Sequence, residues 1–345
     1  MSRNSIIINE ENYRAIDALS YSALSLYSKD IKKFYHKYIL KESDQESSEF
    51  IKMGNMVDIK MTEPDNFDKY FVVTTANKPS GQLLTLTDFL FELRTQDLET
   101  NFETLFDRAY ALLEESNGGK VRDKKDTFIK NFDEKGKEYF AELLSSRGKT
   151  VITIEEDTTS DLVVKKIRTT EAFRPKGDIT IHKQVLRFSI LDNDFKCEID
   201  EIDIDTKNKI IYPFDYKMSS FINTFTASGY INNNYYIQGG VYKYGIESCL
   251  DSSMKEFKGF KVEPLAFKVA DQVNYFDPLL YKTTDQHYNQ AFSGFYFGRS
   301  YKKGIFALIN EITESKSNNV WSMQIENFKN GGQVYIQSFK ESLDE

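Results

Sequence analysis

From Ser20 to about Leu40, apolar residues return at three-to-four spacing: Leu24, Leu26, Tyr27, Ile31, Phe34, Tyr35 and Tyr38. That period predicts an amphipathic helix, with Ser20 or Ser22 as the residue that caps its start. Residues 1–18 ahead of it read as an irregular or extended lead-in, and the polar stretch 41–49 behind it as a loop. A second helix is expected from Phe50 to about Met61. Glu63-Pro64 stops it, because the residue before a proline is pushed out of helical geometry. Residues 79–148 are mostly helical in pattern and highly charged, with a break at Asn117-Gly118-Gly119 followed by Lys120, Arg122, Lys124, Lys125 and Lys130. Two readings of this block stay open: a solvated helical pair, or a basic lip that touches phosphates.

After Val151-Ile152-Thr153-Ile154 one more helix is predicted over about 158–171, ending before Pro175. The period then drops to two. Val185 to Ile190, Phe195 to Ile204 and Ile210 to Tyr216 read as three strands, with turns at Asp192-Asn193-Asp194 and Lys207-Asn208. A helix at about 231–248, a strand at about 262–270, a long helix over about 283–315 and a strand pair around Trp321 and Val334-Tyr335-Ile336 complete the pattern. A β-meander feeding a helix, with helices before and after, predicts an α+β or mixed α/β layer arrangement.

With 345 residues, 40% of them hydrophobic, the chain can form one large domain or two small ones. No apolar run approaches the ~18–20 residues of a membrane span, and the apolar part of the N-terminus is too short for a secretory signal. A cytoplasmic setting is therefore expected. Cys197 and Cys249 are too few for a disulfide framework and are expected to be small core residues. The net charge of −8 disfavours a protein that merely coats nucleic acid. It says little against an enzyme that keeps clustered carboxylates and one local basic groove.

The chemistry concentrates in Glu198-Ile199-Asp200 and Asp215-Tyr216-Lys217. Asp215 and Lys217 are two apart on a strand and so share a face. A hairpin at Lys207-Asn208 brings Asp200 close to them. Two carboxylates with an ammonium suit phosphodiester hydrolysis, since magnesium takes one or two carboxylates with waters and phosphate oxygens. The competing reading is a surface hairpin: 198–205 (EIDEIDID) alternates, and its outward carboxylates would then be solvated. The apolar run Ile210–Phe214 favours a core strand instead. None of His36, His182 and His287 has a zinc-ligand spacing. There is no phosphate-cradling G-x-x-x-x-G-K-[S/T] either. Gln238 and Tyr242 lie on one helix face, and Gly239-Gly240 between them points to close approach by a strand or a substrate. Lys29, Lys32, Lys33 and Lys37 interleave with Tyr35 and Tyr38. This pattern fits phosphate and base contacts or, equally, the charged outer face of a helix.

The order of these motifs resembles that of the RecB-like and RecE-like nucleases of the PD-(D/E)XK superfamily. The serine-bearing helix matches Leu19-Ser20-Tyr21-Ser22 through Tyr38. The G-x-x-x-H helix matches Gly54 to Asp58, the I-D strand Ile199-Asp200, the D-x-K strand Asp215-Tyr216-Lys217, and the Q-x-x-x-Y helix Gln238 to Tyr242. Together they span residues 19–242. Asp58 stands where the family has its metal-binding histidine, and Gln184 stands near where it often has a glutamate.

The resemblance implies a single nuclease domain over 1–345. Its restriction-endonuclease-like core would have a central mixed sheet flanked by helices, carrying 79–148 as a helical insertion. Core motifs would lie in 19–61 and 151–248, with 249–345 completing the core. It implies a magnesium-dependent exonuclease on linear duplex DNA, with manganese as a substitute and no iron-sulfur cluster, since only two cysteines are present. The implied metal ligands are Asp58, Asp200, Asp215 and the Tyr216 carbonyl, with Lys217 assisting the water. Ser20, Ser22, Lys32, Tyr35, Gln238 and Tyr242 would bind DNA or support the site. Phage-type recombination beside a strand-annealing protein, and assembly of several copies into a ring, belong to the same implication. A structure-specific or single-strand endonuclease, and a DNA-binding protein that has lost catalysis, are the alternatives.

Overall fold

The computed structural model describes residues 13, 15–42, 49–146, 148–272 and 275–333. In chain order the main elements are α1 (Tyr21–Lys29), α2 (Ile31–Phe34) with a π-helical turn Tyr35–Ile39, α3 (Glu49–Thr62), β1 (Phe71–Thr74), α4 (Gln82–Gln96), α5 (Phe102–Ser116), α6 (Lys125–Lys135), α7 (Lys137–Ser145), β2 (Thr150–Thr153) and α8 (Ile154–Thr169). There follow β3 (Ile179–Ile190), β4 (Asn193–Asp205), β5 (Ile210–Ser219), α9 (Tyr235–Cys249), β6 (Lys261–Val262), β7 (Ala266–Asp271), β8 (Leu279–Lys282), α10 (Asp285–Ser293), β9 (Phe295–Phe297), β10 (Ser300–Lys302), α11 (Ile305–Asn318) and α12 (Ile325–Lys329). The chain divides into two compact units, 1–51 with 166–345, and 52–165. Among the described residues no helix is long and apolar enough to cross a membrane.

The larger unit is a mixed α/β structure. Its sheet runs β3-β4-β5-β7-β8, with β6 also on β5. The β3-β4-β5 meander is antiparallel, β5 and β7 are parallel, and β8 returns antiparallel on β7. The meander is local in sequence, and Leu191 and Asp192, both at positive φ, make its first turn. The parallel β5–β7 pair needs a crossover, and α9 lies within it. Ile237, Val241 and Ile246 of α9 are fully buried, and so are Gln238 and Lys243. Such all-round burial marks a core helix. It packs on β3 and β4 and against α1 and α10.

The two glycines inside α9 have different reasons. A Cβ on Gly240 would lie 2.7 Å from Ile305 Cδ1 and 2.8 Å from Ala291 Cβ, whereas one on Gly239 would meet nothing nearer than 3.9 Å. The close approach expected from Gly239-Gly240 is thus made at Gly240, by α10 and α11 rather than by a strand or a substrate. Gly240→Ala is therefore expected to destabilise by about 1–3 kcal/mol through overpacking. Gly239→Ala is expected to be neutral or to stabilise by up to ~1 kcal/mol through helix propensity. Urea denaturation of both variants checks the contrast, and equal midpoints would remove the packing explanation.

The smaller unit has α4, α5, α6 and α7 around a core that includes Leu86, Leu90, Leu105, Phe106, Phe128 and Phe132. Four helices stand where a helical pair is one of the expectations. β1 pairs parallel with β2. Of the basic cluster, Lys125 pairs with Asp107 and Lys130 lies 3.9 Å from Glu134.

Several expectations need correction. The helix at about 158–171 begins at Ile154, directly after β2. The long helix over 283–315 does not exist. β8 ends at Lys282, α10 ends at Ser293, and Gly294, at φ +83, turns the chain into the β9–β10 hairpin before α11. Phe295, three residues after Phe292 and so in helical spacing with it, lies on that hairpin. Trp321 is not in a strand. It follows α11 and stacks on Phe34 and Tyr35 at 6.0 and 5.4 Å between ring centres. Val334-Tyr335-Ile336, residues 1–12 and residues 43–48 lie outside the described residues. Cys197 and Cys249 are free and buried, as expected of core residues.

Candidate active site

The site forms where the meander splits. β4 and β5 pair from Asp205↔Ile210 to Glu201↔Phe214. The ladder ends there, one rung before Asp200 would face Asp215. From Phe214 onward β5 pairs with β7 instead. The Tyr216 N–H donates to Asp200 Oδ2 at 2.9 Å, so a carboxylate takes the place of a strand carbonyl. On the other side of β4, Lys183 sits where a partner of Asp200 would. It adopts φ +53 and drops out of the β3–β4 ladder between His182↔Glu201 and Gln184↔Ile199. For a residue with a Cβ this left-handed conformation costs about 1–2 kcal/mol. The Lys183 ammonium lies 3.3 Å from Asp200 Oδ1 and 3.6 Å from Glu198 Oε1.

Asp215 is almost wholly buried, at 2% exposure. Its Oδ1 accepts from Gln238 Nε2 at 2.5 Å, and its Oδ2 lies 2.5 Å from Lys217 Nζ. That ammonium also sits 4.8 Å from the centre of the Tyr235 ring, a favourable cation–π position. Gln238 Oε1 is buried with no hydrogen-bond partner, an unsatisfied acceptor beside the carboxylates. Burial alone would raise the Asp200 pKa, but Lys183, Lys217 and the Tyr216 N–H hold it below the ordinary carboxylate value. Burial works against the Lys217 charge as well, yet Asp215 and Asp200 hold its pKa above the usual lysine range. Asp200 is thereby held in its charged form at neutral pH, and so is Lys217.

The structure thus brings Asp200, Asp215, Lys217 and Gln238 together. Tyr242 is buried near them, and its hydroxyl pKa is raised by burial and by the charges of Asp215 and Asp200. The serine helix is capped as its sequence predicts. Ser20 caps α1 by accepting from Ala23 N at 3.3 Å, and Ser22 is exposed. Ser25 and Ser28 reach the turn before α9, where Asn234 Nδ2 donates to them at 3.3 and 2.8 Å. Tyr35 packs on Trp321, while Lys32 is exposed. Gln184 bonds the Val185 carbonyl. Asp58 belongs to the smaller unit, on α3, where its carbonyl accepts from Thr62.

Lys183, Glu198 and Tyr235 are additions that the motifs miss. Glu198 has a sequence signal, since it alternates with Asp200 on one face of β4. Lys183 has none, because its left-handed backbone is set by the split sheet.

Two carboxylates on neighbouring strands, next to an unsatisfied amide oxygen, fit a hard divalent cation that keeps several waters. Among the described residues no three His, Cys, Asp or Glu side chains converge into a ready-made metal cage. No protein-family model matches the chain, and no curated protein matches it. Among solved structures, a protein from Eubacterium rectale described as a "Putative exonuclease" aligns at a TM-score of 0.48 and 12% identity. The alignment covers 99% of this chain and 97% of that one. That likeness is too distant to transfer any chemistry.

Proposed function

We propose that the chain is a magnesium-dependent nuclease that hydrolyses DNA phosphodiester bonds, acting as an exonuclease on linear duplex ends. The observation that supports this best is the split of β4 from β5 at Asp200 and Asp215, which sets two carboxyl groups beside Lys217. Asp200 and Asp215 would hold the cation, with the Tyr216 carbonyl as a further ligand. A bound magnesium or manganese ion supplies activation of water and charge neutralisation at the phosphate. Lys217, kept protonated, offsets the charge that builds on the phosphate oxygens. Gln238 fixes the Asp215 carboxylate, and Lys183 balances the negative charge of Glu198 and Asp200. Recombination or end processing beside a strand-annealing protein is the setting this reading suggests.

One observation favours a second reading, DNA binding without hydrolysis: the Lys183 ammonium already sits 3.3 Å from Asp200, where a cation would bind. End-labelled linear duplex and a covalently closed circle, incubated with magnesium, manganese or EDTA, separate the two. The expected outcome is metal-dependent loss of the linear DNA with the circle intact. A cut circle would indicate an endonuclease. Binding without cutting under either metal would leave the second reading in place, and calorimetry should then show little affinity for either ion.

A further inference from the structure

We propose that the β9–β10 hairpin is a stacking platform for unpaired bases, presenting Tyr296 to a single strand of nucleic acid and Arg299 and Lys302 to its phosphates. This deepens the nuclease reading and rests on it for the substrate class. The hairpin pairs Tyr296 with Tyr301 across its two strands. Their ring centres are 5.1 Å apart, and the rings are 73% and 48% exposed. Phe297 beside them is 44% exposed, and every residue from Tyr296 to Tyr301 faces solvent. A folded chain seldom leaves a contiguous aromatic cluster in water unless something binds there.

Charge selects the partner. From Gln286 to Asn310 the sequence has no Asp or Glu, in a chain whose 53 acidic residues outnumber its 45 basic ones. The same stretch holds Arg299 and Lys302, and also Lys303, whose ammonium is paired with Glu311 at 2.6 Å. Burial, and after it the charge of Lys302, push the Lys29 pKa below its usual value. An exposed aromatic hairpin that carries Arg299 and Lys302 fits a polyanion whose flat faces are available. Single strands offer unstacked bases, and duplexes do not.

The hairpin is also held rigidly. Gly294 has φ +83, and a Cβ on it would collide with Tyr301 and the Lys302 carbonyl, while one on Gly304 would collide with the Phe292 carbonyl and the Gly294 amide. Tyr301 Oη donates to the Ser293 carbonyl at 3.1 Å. Tyr236 of α9 packs edge-on against Phe295 at 5.1 Å and donates to the Lys303 carbonyl at 3.0 Å. The same helix carries Tyr235 and Gln238, which contact Lys217 and Asp215. Platform and candidate site therefore share one buried support.

Fluorescence anisotropy tests the assignment, with labelled oligothymidylate and an abasic strand of equal length, in EDTA so that nothing is cut. Tyr296→Ala is expected to weaken oligothymidylate binding about tenfold, toward the lower end of what one base–aromatic stack contributes. Abasic binding should not change, and Tyr296→Trp should restore the lost affinity. Arg299→Ala should weaken both strands and flatten the salt dependence. If Tyr296→Ala binds both strands as the parent does while the parent degrades DNA, the platform is wrong and the nuclease reading stands. If the parent neither binds nor degrades DNA, both fall. If Tyr296→Ala alters only the sedimentation of the protein, the hairpin is a contact between copies and the proposal is overturned.

Discussion

Asp215→Asn should abolish metal-dependent digestion of linear duplex DNA, by about 10³-fold or more. Losing several kcal/mol of transition-state charge stabilisation has this effect, because every ~1.4 kcal/mol is tenfold in rate. The substitution is nearly isosteric and keeps an acceptor for Gln238 Nε2. It removes the charge that faces Lys217 at 2.5 Å, however, and a near-buried ammonium left without its partner destabilises a protein by about 3 kcal/mol. Inactivity alone would therefore be ambiguous between chemistry and folding. The double variant Asp215→Asn with Lys217→Gln removes both charges. It should recover most of the unfolding free energy in a denaturant titration while remaining inactive. DNA binding, read by gel shift, should survive in both variants, because a carboxylate has been taken away from a polyanion's path. Activity in the double variant near that of the parent would remove Asp215 and Lys217 from the chemistry altogether.

Much of this site could be read from residue order. Alternation puts Asp215 and Lys217 on one face of a strand, and helical spacing puts Gln238 and Tyr242 on one face of a helix. The apolar run Ile210–Phe214 indicated a core strand, and β5 is the strand shared by the antiparallel and parallel halves of the sheet. What could not be read depends on distant partners. Lys183 looks like any strand lysine, and its φ of +53 follows from the split that Asp200 makes in the ladder. β1 pairs with β2 across the whole helical block, a contact that local periodicity does not register. The break at Gly294 did have a local signal. It was masked because Phe292, Phe295 and Phe306 continue a helix-like spacing through the hairpin. The run 198–205 is the sharpest case. Alternation allowed its carboxylates to be solvated, whereas Glu201 and Asp203 are 4% and 0% exposed. The residue that neutralises Glu201 is Lys268, on a strand reached only after α9.

Breaking that buried pair should be strongly destabilising, because it leaves an uncompensated buried charge on the far face of the sheet. Lys268 is 1% exposed, with its ammonium 2.5 Å from Glu201 Oε1, 3.1 Å from the Phe173 carbonyl and 4.4 Å from the centre of the Phe214 ring. Asp203 lies close enough that the Glu201 charge raises its pKa and Lys268 lowers it, with burial the main cause of the net rise. Lys268→Ala would leave two carboxylates together in an apolar pocket, which should lower the unfolding free energy by about 3–5 kcal/mol. The sign of the pH dependence follows. A carboxylate whose folded pKa is raised is disfavoured in its charged form. The Lys268→Ala deficit should thus be largest at neutral pH and shrink as pH falls through the raised Asp203 value. Replacing the pair together, Lys268→Met with Glu201→Leu, should recover much of the loss, since apolar packing can substitute for a buried ion pair. Activity is expected to follow a different course. Tyr216 donates its hydroxyl to Glu201 on this face and its N–H to Asp200 at the site. Even a stable double variant should therefore cut DNA more slowly, through loss of the brace on the Asp215-Tyr216-Lys217 strand. Full activity in that variant would show that the far face serves folding alone, and a Lys268→Ala protein within about 1 kcal/mol of the parent would contradict the buried-pair argument itself.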